Sequence, residues 1–402
     1  MQAIHNKLPV KNILLGVTGG IAAYKAAELV RLLIKAGFDV QVVMTEAACQ
    51  FITPLTMQAL SGKPVFTSMW DMSIPNSMPH IELSRQADII LVAPASADFI
   101  TKLAHGHADD LLTTLCLARD SDTRSCNLLV APAMNKQMWE NPATQRNITQ
   151  LKSDGIAILG PDSGEQACGE IGMGRMLEAE SLLSLVNAHL MPKLFAGKRI
   201  LITAGASLEM IDPVRAITNL SSGKMGFSLA EVARDMGADV TLVRGLSALT
   251  TPEGMDTIEA LSAEAMYQTV MQNIGSQDIF ISVAAVADFS PIQTRAQKIK
   301  KNEQSLTLEL IQNKDILLEV ARLPNAPFCV GFAAESENLI ENAEQKRLRK
   351  KVPLMVANLI NDAIGGDLNL VTLLDDQGSH PLPKATKKIL ANEILCHIHR
   401  LI

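Results

Sequence analysis

Three side chains in the first half of the sequence have the chemistry of an active site, and each also has an ordinary structural use. His80 opens HIELS directly after a proline. Histidine is the side chain best matched to proton transfer near neutral pH, although a lone one is often only a surface or core residue. Asn135 closes the run APAMN behind an apolar stretch. Its amide N–H2 suits a carboxylate, and the same residue type is a common helix N-cap. Cys168 lies in DSGEQACGEIGMGRM, which has four glycines within eleven residues. Cysteine is usually a small buried hydrophobe, so a thiol in a polar, glycine-rich loop points to a flap over a site.

The same half carries three loops suited to one mononucleotide-type ligand. GVTGGIAAYK places Gly19 and Gly20, then Ile21, between a strand and a helix. There the backbone N–H groups and the helix dipole favour a phosphate; a plain tight turn is the alternative. Thr45 at the end of the second strand and Ser96 in APASAD offer hydroxyls at the same carboxyl edge, where open α/β sheets bind ligands. The spacing is not G-x-G-x-x-G.

In the second half SSGKMG (221–226) sets hydroxyls, glycine and Lys224 before a helix, a plausible anion site although not a Walker A loop. KIKK (298–301) and KRLRKK (346–351) are basic runs that read either as solvated faces or as the cations a triphosphate needs. Lys346 and Lys350, four apart, share a helix face. Asp288, after a strand, suits a metal or a ribose hydroxyl. His105 and His107, and His397 and His399, read as solvated helix ends.

These residues need a frame, and the apolar pattern supplies one. KNILLGV (11–17), FDVQVVM (38–44), ADIILVA (87–93) and NLLVAPA (127–133) are short apolar runs separated by helical stretches, the pattern of a doubly wound parallel sheet. Leu182–Leu190 reads as a closing helix, and Met191-Pro192-Lys193 interrupts it. KRILITAG (198–205), DVTLVRG (239–245) and DIFISVAAVAD (278–288) then echo the first half, by duplication or by common α/β grammar. SLTLELI (305–311) alternates with period two, and FCVGFAA (328–334) is a further strand. LNLVTLLDDQGSHPLP (368–383) reads as an antiparallel hairpin turning at DDQGS. The expected fold is α/β with two Rossmann-like domains, 1–190 with a flavodoxin-like parallel sheet and 191–402 with a mixed sheet. The stretch from Ser290 to Glu303 reads as a surface loop.

Composition narrows the classes. With 402 residues, 48% hydrophobic and 19% charged, the chain is globular and long enough for two or three domains. A net charge of -6 argues against a nucleic-acid binder. No apolar run approaches the roughly 18 residues of a membrane helix, and the N-terminus lacks a signal-peptide core. Six cysteines without a C-x-x-C pair read as reduced thiols of a cytoplasmic protein.

GVTGGIAAYKAAELVR, TEAACQFITPL, HIEL, APASAD, PAMN and ACGEIGMGRM occur in this order. Over residues 10–190 the chain resembles the flavin-dependent phosphopantothenoylcysteine decarboxylase family. ITAGAS, IDPVR, ITNLSSGKMG, SVAAVADF, KIKK, NKDI, GFAAE and QKRLRKK follow and resemble the phosphopantothenate–cysteine ligase domain. The whole chain is thus similar to the bacterial bifunctional enzymes of coenzyme A biosynthesis that fuse the two.

The resemblance implies FMN with its phosphate on Gly19, Gly20 and Ile21, and with Thr45, Ser96, Ala97, Asp98 and Met134 nearby. A cysteine carboxylate has no electron sink; oxidation of its thiol-bearing carbon by flavin supplies one, CO2 leaves, and the enethiol is then reduced. His80 would serve the oxidative and decarboxylating half, Asn135 would hold the carboxylate, and Cys168 would donate the final proton. In the ligase half the resemblance implies CTP with Mg2+: the 4′-phosphopantothenate carboxylate is activated as an acyl-cytidylate, which the cysteine amine attacks. Asn219 would bind phosphopantothenate or the acyl-cytidylate, and Lys298 would neutralise phosphate charge. Asp288, Asn313, Lys314, Asp315, Ile316, Phe332, Lys346 and Lys350 would contact CTP. The family's usual proline is Lys314 here, and Gly205-Ala206-Ser207-Leu208 departs from its usual turn. The resemblance also implies homo-oligomers, with trimeric flavin domains and dimeric ligase domains. The rival readings are a nicotinamide-dependent oxidoreductase, which the missing glycine fingerprint disfavours, and a non-catalytic flavin-binding regulator, which retention of His80, Asn135 and Cys168 disfavours.

Overall fold

The computed structural model describes residues 11–70, 78–120, 126–167, 169–300, 306–360, 366 and 368–402. The chain forms two compact units, Met1–Asn187 and Ala188–Ile402.

The first unit runs β1 (Asn12–Val17), α1 (Ala23–Lys35), β2 (Asp39–Met44), α2 (Glu46–Cys49), α3 (Pro54–Ser61), α4 (Pro79–Gln86), β3 (Ile89–Ala95), α5 (Ala97–Ala104), α6 (Leu111–Ala118), β4 (Asn127–Pro132), α7 (Lys136–Glu140), α8 (Pro142–Ser153), β5 (Ala157–Ile158), β6 (Asp162–Glu165) and β7 (Ile171–Arg175), then enters α9 (Ala179–Leu190). Five strands pair in parallel in the order β2-β1-β3-β4-β5. Every residue of β3 is buried, as strands covered on both faces require. Leu14, Ile90, Val92 and Val130 pack against Ile100, Leu112, Leu115 and Ile148 of the covering helices. Helix α1 turns Ala23, Ala26, Leu29, Val30 and Leu33 inward and ends before Gly37, whose φ of 92° suits glycine.

The second unit runs β8 (Arg199–Ala204), β9 (Leu208–Asp212), β10 (Arg215–Thr218), α10 (Lys224–Asp235), β11 (Asp239–Arg244), β12 (Asp256–Glu259), α11 (Ala263–Asn273), β13 (Ile279–Ser282), β14 (Phe289–Pro291), β15 (Leu310–Gln312), α12 (Ile316–Ala321), β16 (Phe328–Glu335), α13 (Leu339–Lys350), β17 (Leu354–Leu359), β18 (Leu368–Asn369), β19 (Thr372–Asp375), β20 (Gly378–Pro381), β21 (Ala385–Thr386) and α14 (Lys387–Leu401). Its main sheet has the order β12-β11-β8-β13-β16-β17-β19-β20. The first six strands are parallel, and the β19–β20 hairpin is antiparallel. Ile202, Leu242, Ile281 and Val356 form one core with Leu229 and Val232 of α10 and Ile394 and Ile398 of α14. Phe280 and Met355 form the opposite one with Met266, Val320 and Ala343.

Each sheet reverses its strand order beside its first strand, between β1 and β3 and between β8 and β13. A buried threonine stitches each junction. Thr18 Oγ1 donates to the Pro94 carbonyl at 2.8 Å and accepts from Ser96 N–H at 2.9 Å. Thr203 Oγ1 accepts from the N–H groups of Val283 and Ala284 at 3.2 and 3.3 Å. Both side chains are 1% exposed, so water cannot replace these bonds.

Three expectations need correction. The run 278–288 is a strand only over Ile279–Ser282; beyond it Ala285 and Ala287 hydrogen-bond to the loop at Gly205–Ser207 rather than to a ladder. Of SLTLELI, only Leu310 and Ile311 join a strand, because β14 offers just three residues to pair with; Ser305 lies outside the described residues. His397 is no solvated helix end: it is buried on α14, with Nε2 2.7 Å from Asp375 Oδ2. His105, His107 and His399 are exposed.

Thr18→Val or Thr203→Val keeps the side-chain shape but strands buried backbone groups. Each is expected to lower stability by about 1–3 kcal/mol in the transition of its own unit, read by urea unfolding. An unchanged midpoint would show that the stitch is dispensable.

Candidate active sites

In the first unit the loops after β1, β3 and β4 and the β6–β7 hairpin enclose a cavity of about 660 Å3. Gly19 must be glycine for packing, since a Cβ there would lie 2.6 Å from the Ala47 Cβ. A Cβ on Gly20 meets nothing within 4 Å, so this backbone faces open space. The α1 N-terminus at Ala22 has no side-chain cap, and the N–H groups of Ala23, Tyr24 and Lys25 turn back to the carbonyls of Gly20, Ile21 and Ala22. Ser96 caps α5 through Phe99 N–H, and Asn135 caps α7 through Gln137 N–H. Across the cavity, Met134 N–H donates to the Gly174 carbonyl at 2.9 Å, and Lys136 N–H donates to Gln166 Oε1 at 3.0 Å.

Lys25 fastens the far side. Only 7% exposed, its ammonium donates to the Met176 carbonyl at 2.9 Å and to Glu178 at 2.8 Å. The Lys25 hydrogen bond holds the Glu178 carboxyl below its usual range. Asn135 Nδ2 donates to Glu170 Oε2 at 2.5 Å, so the amide expected to bind a carboxylate already holds one.

Of the expected cofactor residues, Gly19, Gly20, Ile21, Ser96, Ala97 and Met134 line this cavity, together with the expected catalytic Asn135. Thr45, Asp98 and His80 are not among its lining residues. Thr45 caps α2 by accepting from Ala48 N–H at 3.1 Å; Asp98 is exposed and paired with Lys102 at 3.1 Å; His80 occupies the first turn of α4. Cys168 lies outside the described residues, and its neighbour Ala167 lines the cavity. Burial pushes the described thiols up, Cys126 to about 11 and Cys329 to about 12. Lys25 and Gln166 escaped the sequence reading, though a lone lysine on the apolar face of α1 was a visible signal.

A flavin fits these residues. The volume lies within the range of cofactor pockets, about 300–1,000 Å3, and the lining combines a helix N-terminus without a side-chain cap with apolar Ile21, Met134 and Met176.

In the second unit the candidates gather around the ends of β8, β13 and β16. Asn219 Nδ2 donates to the Ala285 carbonyl at 3.0 Å, and Thr218 Oγ1 donates to the Ser207 carbonyl at 2.7 Å. Asn313 clasps the same segment: its N–H donates to the Asp288 carbonyl, its Nδ2 to the Ala287 carbonyl, and its Oδ1 faces Ser290 Oγ, each at 2.8 Å. Asp315 caps α12, whose first residue Ile316 is buried, and receives the Lys350 ammonium at 2.9 Å. Lys346 pairs with Glu335 at 2.6 Å. Phe332 is partly buried on β16. Lys314 has partners of its own, Glu264 at 3.1 Å and the Tyr267 ring at 4.2 Å. Asp288 and Lys298 are exposed.

Asp212, which sequence reasoning missed, fixes the strap bearing Lys298. Its carboxylate accepts Ile299 N–H at 3.1 Å, Val214 N–H at 2.9 Å and Arg215 at 2.7 Å. Burial by itself would raise this carboxyl; the Val214 and Ile299 N–H bonds and Arg215 outweigh it and hold it below its usual range.

Two α/β units, each with polar loops converging at a switch point, define a two-site enzyme of the nucleotide- and cofactor-binding class. A family model described as "Flavoprotein" matches residues 2–191, and one described as "DNA/pantothenate metabolism flavoprotein C-terminal domain" matches residues 195–401. The chain is 49% identical over 395 residues to the coenzyme A biosynthesis bifunctional protein CoaBC of Vibrio cholerae, covering 97% of this chain and 98% of that one. It is 45% identical to the Escherichia coli protein of that name, covering 96% of each. A crystal structure of the C-terminal domain of a CoaBC protein is similar at 39% identity and a TM-score of 0.46, covering 52% of this chain and 97% of that one. The chain belongs to the family of CoaBC bifunctional proteins of coenzyme A biosynthesis. The nicotinamide-dependent and non-catalytic readings gain no support from these matches.

Because the Asp212 carboxyl is held low, its contribution is present above the ordinary carboxylate range, near pH 4, and fades as pH falls through its lower folded value. Asp212→Asn is expected to unfold at lower urea than the wild type at pH 7, with the gap closing toward pH 3. A gap independent of pH would contradict this role for the charge.

Proposed function

We propose that residues 191–402 join cysteine to 4′-phosphopantothenate using CTP, and that residues 1–190 decarboxylate the product to 4′-phosphopantetheine using FMN. The chain is a bifunctional enzyme of coenzyme A biosynthesis with decarboxylase and ligase activities. The observation that supports the division of labour is the presence of two switch-point sites of different character, a cleft of cofactor size in one unit and a lysine-bearing rim in the other.

In the ligase half a carboxylate is a poor electrophile, so its oxygen attacks the α-phosphorus of CTP and pyrophosphate leaves. The cysteine amine then attacks the acyl carbon, and CMP leaves. Lys298, on the strap held by Asp212, opposes charge building on the phosphates. Asn219, fixed by the Ala285 carbonyl, faces phosphopantothenate or the acyl-cytidylate. Asn313, Lys314, Asp315, Ile316, Phe332, Lys346 and Lys350 form the CTP rim, with Asp288 beside the ribose or the cation. Mg2+ enters with the triphosphate, whose oxygens suit a hard cation.

In the decarboxylase half FMN supplies the reversible oxidation of the substrate's thiol-bearing carbon. Gly19, Gly20 and Ile21 would cradle its phosphate, with Ser96, Ala97 and Met134 around it and Thr45 and Asp98 outside the lining. Asn135 takes the substrate carboxylate, a role supported by the hydrogen bond its amide makes to the Glu170 carboxylate. Cys168 delivers the proton that completes reduction of the enethiol. His80 lies outside its own unit's cavity lining; in a trimer it would serve the site of a neighbouring copy, with Ile21 and Tyr24 of the lining, 63% and 62% exposed, as an apolar seat. The ligase units dimerise.

Cys168→Ser is expected to keep releasing CO2 while formation of the reduced aminothiol falls by about 10²-fold or more, measured by mass spectrometry. Normal yields of the aminothiol would remove Cys168 from the mechanism. Lys298→Gln is expected to slow pyrophosphate release by about 10²-fold with the fold intact. Unchanged release would remove Lys298 from the activating step.

A further inference from the structure

The β19–β20 hairpin and helix α14 bring together three side chains that the two-step reaction does not use. In an antiparallel pair, residues two apart on one strand share a face with those opposite them. Asp375 and Leu373 lie two apart on β19, and His380 of β20 is the register partner of Leu373. Asp375 and His380 therefore face the same side. Leu373 packs there against Leu390, Ile394 and Ile398 of α14, the helix that carries His397. Both imidazoles turn their Nε2 atoms to the one carboxylate: His397 lies 2.7 Å from Oδ2, and His380 lies 3.1 Å from Oδ1. Asp375 and His397 are buried, and His380 is partly open to solvent, which provides an entry path.

We propose that Asp375, His380 and His397 form a binding site for a zinc-class divalent cation, with one carboxylate oxygen and two imidazole Nε2 atoms as ligands and a fourth position open. The three ligand atoms lie within 4.8 Å of one another. Tetrahedral zinc, with bonds of about 2.0 Å, needs its ligands about 3.3 Å apart, so small side-chain rotations open the triad to size. Two nitrogens and one oxygen suit zinc, cobalt or nickel and disfavour magnesium, which prefers an all-oxygen shell. In the sheet β19 lies three strands beyond β13, and α13, the helix of Lys346 and Lys350, meets the hairpin through Arg347, which donates to Asp376 at 2.7 Å.

The residues around the triad set the form that binds. Arg400 donates to His397 Nδ1 at 3.1 Å. An arginine can only donate, so Nδ1 accepts and Nε2 carries the hydrogen that bonds to Asp375. Cation binding requires the opposite tautomer, with the hydrogen on Nδ1 and the Nε2 lone pair on the metal. Arg400 must then swing away, which its exposure permits. Gln377 N–H, bonded to Asp375 Oδ1 at 2.7 Å, holds the carboxylate in place throughout.

The test is calorimetric titration of the full-length, flavin-loaded protein with zinc chloride in excess Mg2+, for the wild type, His380→Gln and Arg400→Gln. The expected result is one tight zinc site per chain that weakens by about 10-fold or more in His380→Gln. In Arg400→Gln it should tighten, because the new amide oxygen accepts from Nδ1–H. A wild type without a tight site, or a site of unchanged affinity in His380→Gln, overturns the proposal. His380 is partly exposed, and circular dichroism of that variant separates loss of a ligand from loss of fold. If all three proteins bind zinc equally, the ion is on other groups such as the thiols, and the triad is a hydrogen-bonded clasp.

Discussion

Both sites depend on a buried threonine hydroxyl at the end of the first strand of each sheet. Where strand order reverses, neighbouring loops diverge and leave backbone groups without ladder partners, and a buried orphan costs about 1–3 kcal/mol. Thr18 resolves this by bridging the Pro94 carbonyl and Ser96 N–H, and Thr203 by accepting from Val283 and Ala284. The divergent loops thereby become rigid. Ser96 is held where it caps α5 at the cavity edge, and the segment after Val283 is held where Ser207, Asn219 and Asn313 can grip it.

On that common frame the two units handle charge differently. The lining of the first is mostly small, neutral or apolar, with Glu165 and Arg175 on the hairpin side, and its buried cation, Lys25, is committed to Met176 and Glu178. On the proposed reading an anion there would meet the Gly19–Ile21 turn, with Arg175 in the lining. The second unit keeps cations at its rim, and Lys346 and Lys350 rest on Glu335 and Asp315. Lys346 is partly open to water while Glu335 is buried, so on the proposed reading a polyphosphate that drew Lys346 away would leave a buried carboxylate to be met by another partner.

The sequence made much of this legible, because strand cores and glycine turns have local causes. The apolar runs became β1, β2, β3 and β4, and DDQGS became the turn of the β19–β20 hairpin. The ordered motifs identified the family. What stayed hidden depended on partners distant in sequence. Nothing around His397 announces Asp375, 22 residues away, and nothing in IDPVR announces that Asp212 grips Ile299, 87 residues on. The period-two alternation of 305–311 marked strand propensity without saying how much strand lay opposite. Thr45 carries two readings at once, since the hydroxyl that suits a ligand also suits the helix cap it makes here.

The most direct test of the central claim is a product assay on the purified chain with 4′-phosphopantothenate, cysteine, CTP and Mg2+, read by mass spectrometry. The account predicts 4′-phosphopantetheine, CO2, CMP and pyrophosphate from this one protein. Accumulation of 4′-phosphopantothenoylcysteine by flavin-loaded protein would contradict the role given to the first unit, and absence of any cysteine adduct would contradict the account as a whole.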